Sequence, residues 1–217
     1  MENSYDTKVW LLAVTSFLGD VPDEAKGIYT NQETLLEYAG RICYNSLDKM
    51  YSNEKWLESR IKEGHESLVE HASATFMIEC SRVVTHELVR HRIASYSQRS
   101  QRYVTESVPS FILPPGMEDT QMYVEKGFNN ATIFTRVMDL CWSAYKTLIE
   151  NGFKPEIARY VLPNATKTTI VVTMNFRELR HFIKLRISPA ALPEMREVAG
   201  KIRMICQKIA PKVFGDL

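Results

Sequence analysis

Residues 71–80, HASATFMIEC, restrict the fold of this chain more than any other segment. Ala72, Ala74, Phe76 and Ile78 alternate with His71, Ser73, Thr75, Met77 and Glu79, a pattern that suits a half-buried strand with one polar face. Residues 8–17 (KVWLLAVTSF) and 166–173 (TKTTIVVT) also read as strands. Helical periods separate them. Thr30 and Glu33 form a capping box ahead of Leu35, Leu36, Ala39, Ile42 and Cys43, predicting a helix to about residue 45. A second helix is expected over 53–63, stopped by Gly64, and Ser81 caps a third carrying Val83, Val84, Leu88 and Val89. Residues 130–151 keep the clearest apolar stripe (Ile133, Phe134, Val137, Leu140, Cys141, Ala144, Tyr145, Leu148, Ile149), and Gly152 ends it. Pro155 opens a short helix, PEIARYV, that must end before Pro163. Asn175 and Glu178 cap a helix to about residue 187, and Val198, Ile202, Ile205 and Ile209 mark a last helix after Pro193. Residues 104–120, rich in proline, read as an irregular loop long enough to suspect function.

This order has no regular βαβ repeat, so the expected fold is α+β: a mixed, largely antiparallel sheet packed with helices. A length of 217 residues fits one domain spanning 1–217. The 45% hydrophobic and 24% charged content is that of a globular protein, and no window approaches the roughly 20 apolar residues of a membrane span. The N-terminal stretch has no basic segment or small-residue cleavage site, which makes the cytoplasm the expected location and excludes a membrane role. Cys43, Cys80, Cys141 and Cys206 are widely separated without a CxxC pair, against a disulfide framework or a structural zinc site.

With 27 basic and 26 acidic residues the net charge is only +1, so no global field draws the chain to nucleic acid. The basic character is local. Residues 90–103, RHRIASYSQRSQRY, combine Arg90, Arg92, Arg99 and Arg102 with Ser95, Ser97 and Ser100. Guanidinium groups keep their charge and donate in a fork, so this composition suits phosphoryl oxygens. A solvated basic loop is the plainer alternative. Tyr96 and Tyr103 could stack on RNA bases, as in a non-catalytic RNA-binding module, but no matching basic face lies elsewhere. His86, Glu87 and His91 imitate a zinc helix at the wrong spacing: histidines five apart point roughly 140° away from each other, so no metal site is expected. Arg186 shares a helical stripe with Leu179 and Phe182, placing a charge where periodicity expects the interior and where a partner is required.

Arg90-His91-Arg92, seven residues, Ser100, one residue, Arg102 resembles the RHR-x7-S-x-R signature of the flavin-dependent thymidylate synthases. His71 and Ser73, Arg159 within PEIARYVLP, Asn175 with Arg177, His181 and Arg186 fall where that family places equivalent residues. The resemblance implies a homotetramer of α+β subunits. It also implies reductive methylation of dUMP by methylenetetrahydrofolate, with FAD, reduced by NADPH, supplying hydride. By similarity, Ser73, Arg90, His91, Arg92, Gln98, Asn175, Phe176, Arg177 and His181 would hold FAD. Glu87, Leu88, Val89, Arg90, Gln98, Arg99, Ser100, Gln101, Arg102, Arg159 and Arg186 would hold dUMP, and His71 is a further candidate. Arg186 would be catalytic, activating the uracil electrostatically, and Ser100 would bind substrate rather than attack it. One segment departs from the family: a stretch resembling HAQxEIR is replaced, with Ala190 and Leu192 at its histidine and glutamine positions. A hydroxymethylase acting on dUMP would use the same scaffold and is the alternative reading.

Overall fold

The computed structural model describes residues 7–108, 110–117 and 130–217. Its elements, in chain order, are β1 (Lys8–Val14), α1 (Asn31–Cys43), α2 (Trp56–Lys62), β2 (Ser73–Ser81), α3 (Arg82–Leu88) and β3 (Ala94–Gln98). There follow α4 (Asn130–Glu150), α5 (Pro155–Ala158), β4 (Lys167–Asn175), α6 (Phe176–Arg186), α7 (Pro193–Ile209) and α8 (Pro211–Phe214). Four strands form one sheet in the order β1-β2-β4-β3, and each pairing in it is antiparallel. The alternation read in residues 71–80 is realised: Ala74, Phe76, Ile78 and Cys80 of β2, with Ile170, Val172 and Met174 of β4, turn into the core. There they meet Leu179, Phe182 and Ile183 of α6 and Val198, Ile202 and Cys206 of α7. The architecture is thus a mixture of helices and an antiparallel sheet sharing one core.

Local signals set the helix starts. Thr30 and Glu33 complete the capping box, each side chain bonding the other residue's backbone N–H. The Ser81 hydroxyl accepts from Val84 N–H, and the Asn175 side-chain Oδ1 accepts from Glu178 N–H at 2.8 Å. Gly152 adopts φ +85°, a left-handed conformation that ends α4 at little steric cost.

Four expectations change. Residues 94–98 form a strand that composition concealed. The strand expected from residue 71 starts at Ser73, and His71 ends a 3-10 turn over Glu66–His71, so His71 and Ser73 do not share a strand face. The PEIARYV segment divides into α5 and a 3-10 turn at Arg159–Val161. Most informatively, the α4 stripe does not face the core of its own chain. Only Met138 and Tyr145 are buried, whereas Ile133, Val137 and Leu140 are exposed. Residues 104–108 and 110–117 form no helix or strand beyond an isolated bridge from Phe111 to Thr166, and the rest of that expected loop, 118–120, lies outside the described residues. Among the described residues no helix is long and apolar enough to cross a membrane, and all four cysteines are free.

Candidate active site

The sheet brings several element ends together. Ser73, which opens β2, pairs with Asn175, the last residue of β4, and Ala94, which opens β3, pairs with Met174. The RHR turn at residues 90–92 links α3 to β3, so it joins Ser73, Asn175 and the first turn of α6 at one end of the sheet. Tyr96 fastens this turn: its hydroxyl lies 2.7 Å from the carbonyl oxygens of both Leu88 and His91. Burial pushes the Tyr96 phenol up to about 12, so it stays protonated and donates its single proton to one carbonyl at a time. Among the described residues, Arg90 and Arg92 are exposed with no carboxylate partner.

Beside the turn lies a cleft of about 680 Å³ lined by Ile93, Asn175, Arg177, Glu178, His181 and Lys184, among others. That volume suits a cofactor-sized ligand. Arg177, at its rim, is ion-paired to Glu70 and, at 3.6 Å, to Glu66, so an anionic ligand there would compete with carboxylates.

At the other end of β3 the polar side chains are different. Gln98 Nε2 donates to the hydroxyls of Thr85 at 3.1 Å and Thr168 at 3.4 Å. Arg99 pairs with Glu106 at 3.0 Å, and Arg102 lies 3.9 Å from Glu156. Burial raises the Glu106 carboxyl, opposed by Arg99 and Arg82. Burial, reinforced by the charge of Arg159, lowers the Arg82 guanidinium. Among the described residues Arg82 Nη1 is buried without a hydrogen-bond partner, and the buried Gln101 amide lies against the Glu106 carboxyl. An unused buried donor beside an excess of positive charge is what an anion would satisfy. Arg82 is not among the residues that the sequence singles out. Its signal was present, since a cation in the first turn of a helix opposes the helix dipole and calls for another reason to be there.

Arg186, the last residue of α6, is tied to the end of α3 and to the RHR turn. Its Nη1 pairs with Glu87 Oε2 at 2.7 Å, Nη2 donates to the Glu87 carbonyl at 3.3 Å, and Nε donates to His91 Nε2 at 3.1 Å. His91 Nδ1 lies 2.8 Å from Glu178 Oε1. The charge that periodicity placed toward the interior is indeed half-buried, with 16% of the side chain exposed, and it is fully partnered on one side. His86, by contrast, is exposed on α3, apart from this network. Ligand atoms of His91, Glu178 and His181 lie within 4.8 Å of one another, a spacing a metal ion could use. Both His91 nitrogens are already engaged, so a metal would have to displace Glu178 or Arg186.

Burial limits how some candidates can act. The Phe176 ring is fully buried against Phe214 and the Leu88 side chain is fully buried, so either could meet a ligand only through its main chain. Leu192, in the departing segment, packs against the core, while Ala190 is exposed. Val89 and His71 are exposed, Ser73, Glu87, Ser100 and Arg159 are half-buried, and Gln101 is buried.

The fold and site thus define an α+β protein with an arginine-dense end of β3, a polar cleft beside the RHR turn, and a half-buried arginine held by Glu87 and His91. The sequence model of the family described as thymidylate synthase complementing protein matches residues 28–212. Relatives named flavin-dependent thymidylate synthase include a protein of Geobacter sulfurreducens, 40% identical over 85% of this chain and 81% of its own length. Another, from Pyrococcus furiosus, is 45% identical over 77% of this chain and 69% of its own. One from Mycobacterium bovis BCG Pasteur is 40% identical over all of this chain and 92% of its own. The chain belongs to the flavin-dependent thymidylate synthase family, and it is an enzyme.

Proposed function

We propose that this enzyme methylates dUMP reductively to dTMP, taking the carbon from methylenetetrahydrofolate and using FAD, with NADPH as reductant. The observation that carries this reading is the position of Arg186, half-buried beside the RHR turn and held by Glu87 and His91 with donors to spare. A fixed guanidinium beside uracil N3 and O2 stabilises negative charge on the ring and so raises electron density at C5. FAD, when bound, supplies the hydride.

The remaining residues divide the binding work. The unused donor of Arg82, together with Arg102 and Arg159, suits the dUMP phosphate, and Gln98, Arg99, Ser100 and Gln101 follow at the same end of β3. On the flavin side, Arg90 and Arg92 lack carboxylate partners among the described residues and directly precede Ile93, which lines a cleft of about 680 Å³, an arrangement that suits an anionic cofactor. Ser73, Asn175, Arg177, His181 and the Phe176 backbone complete that side.

An enzyme nucleophile is not part of this reading. Burial holds the thiols of Cys80 and Cys206 above their ordinary values, with Cys206 at about 12, and both side chains face the core. Ser100 Oγ accepts from Arg102 N–H at 3.2 Å and has no histidine beside it among the described residues. We take the active assembly to be a homotetramer, as the family resemblance implies; the α4 stripe, which leaves Ile133, Val137 and Leu140 exposed among the described residues, suits burial against another chain. The names of the relatives do not favour the hydroxymethylase alternative. The test is to purify the protein, record its flavin spectrum and follow NADPH oxidation with and without dUMP and methylenetetrahydrofolate. A flavin-loaded protein that forms dTMP is expected. Colourless protein that takes up no FAD and forms no dTMP overturns the proposal.

A further inference from the structure

We propose that Glu178 is a positioning residue for this reaction: acting through the His91 imidazole, it holds the Arg186 guanidinium in the orientation that meets the pyrimidine. This rests on the role given to Arg186 above.

The proton positions follow from the contacts. A guanidinium has no acceptor and keeps its protons, so the 3.1 Å contact from Arg186 Nε requires a lone pair on His91 Nε2. The proton of the neutral imidazole then sits on Nδ1, where it donates to Glu178 Oε1 at 2.8 Å. One tautomer, and no protonated form, satisfies both contacts. Packing also holds the ring. His91 is 5% exposed and meets the Phe182 ring edge-on at 5.1 Å, and Glu178 is 7% exposed. Glu178 is fixed in turn by Asn175, whose side chain accepts from its backbone N–H, and its carboxylate lies in the first turn of α6, where the helix dipole favours negative charge.

Glu178 lies in the first turn of α6 and Arg186 ends the helix, about 12 Å apart along the axis. His91 comes from the RHR turn and bridges them, so the three side chains lock that turn along the helix. Three donors of Arg186 are used by His91 and Glu87, which leaves one on each terminal nitrogen for a ligand. Without the Nε contact the guanidinium could rotate about its stem, and those two donors would lose their direction.

The same geometry makes the site sensitive to acid. Facing His91 are Glu178, His181 and Arg186 from α6, Glu87 from α3 through Arg186, and the Tyr96 hydroxyl from β3 at the His91 carbonyl, with Arg90 and Arg92 flanking it in sequence. Burial lowers the His91 imidazole below its ordinary value, Arg186 and His181 lower it further, and Glu178 opposes them. Protonation at low pH puts an N–H against the Arg186 N–H and ends the contact.

The experiment compares flavin-loaded wild-type enzyme with Glu178→Ala, Glu178→Gln and Arg186→Ala. It measures dTMP formation against pH and dUMP concentration, and the His91 tautomer by nitrogen NMR of labelled histidine. Glu178→Ala should lower kcat about ten-fold or more, with a smaller change in KM for dUMP. The Gln amide oxygen can still accept from Nδ1–H, so Glu178→Gln should recover much of the lost rate. It removes the charge that supports protonated His91, so its acid limb should move to lower pH. Glu178→Ala with the wild-type rate and pH profile overturns the proposal, as does His91 carrying its proton on Nε2 in the wild type. If Arg186→Ala remains active, the role of Arg186 fails instead, and the tautomer still decides whether the Glu178–His91–Arg186 chain exists. Should Glu178→Ala not fold, the acid limb of Glu178→Gln and the tautomer carry the decision.

Discussion

Replacing Tyr96 with Phe removes one hydroxyl and keeps the ring that packs between β3 and the core. That hydroxyl lies 2.7 Å from two carbonyl oxygens, Leu88 at the end of α3 and His91 in the RHR turn, and it can donate to one at a time. The loss is therefore one neutral hydrogen bond, about 1 kcal/mol, and not two. For a chain of this length that is a fall of about 2–4 °C in Tm, measured by calorimetry at matched protein and flavin concentration. Because the hydroxyl fastens the turn carrying Arg90, His91 and Arg92, the same variant should bind FAD more weakly and lose turnover with it. An unchanged Tm would mean that Tyr96 does not hold the turn. A fall several times larger would mean that the ring, not the hydroxyl, had been disturbed.

Other perturbations separate the remaining roles. Arg186→Ala should keep its flavin and lose turnover, as followed by the flavin spectrum and dTMP formation; near-normal turnover contradicts its role. Arg102→Ala should weaken dUMP binding about ten-fold or more by calorimetric titration, since it deletes a charge-assisted contact, and an unchanged Kd tells against a phosphate site there. Hydrogen bonds from Arg180, followed by its charge, hold the Asp216 carboxyl below the usual carboxylate range of about 3.8. A depressed carboxyl stabilises the fold above its unfolded value and loses that contribution as pH falls through the folded value. The Tm difference between wild type and Asp216→Asn should thus be full at neutral pH and shrink below about pH 4; a difference constant to pH 3 would exclude this source.

Much of the fold was legible where local chemistry and tertiary need agree. The alternation of β2, the Thr30 and Asn175 caps and the α7 stripe all specify both an element and the face it buries. The β3 strand was not legible because its inward positions are Ala94 and Tyr96 and its outward ones are serines, so an edge strand with a wet face looks like a polar loop. The α4 stripe was legible as a helix and misleading as to its partner, since periodicity says that a face is apolar but not which chain covers it. In the candidate site, the arginines of residues 90–102 suggest an anion by composition. Glu178 did not stand out, because it meets His91 across 87 residues of sequence and is otherwise an ordinary first-turn carboxylate. Arg82 gave only an indirect sign, a cation in the first turn of α3, while its buried nitrogen without a partner among the described residues is a fact of packing.

The most direct test of the proposed chemistry is an anaerobic single turnover of the flavin-reduced enzyme with dUMP and methylenetetrahydrofolate, followed by mass analysis of the nucleotide. A product heavier than dUMP by one CH2 group, formed as the flavin reoxidises, is the predicted result. Unchanged dUMP, or a product carrying an additional oxygen, would contradict reductive methylation by this enzyme.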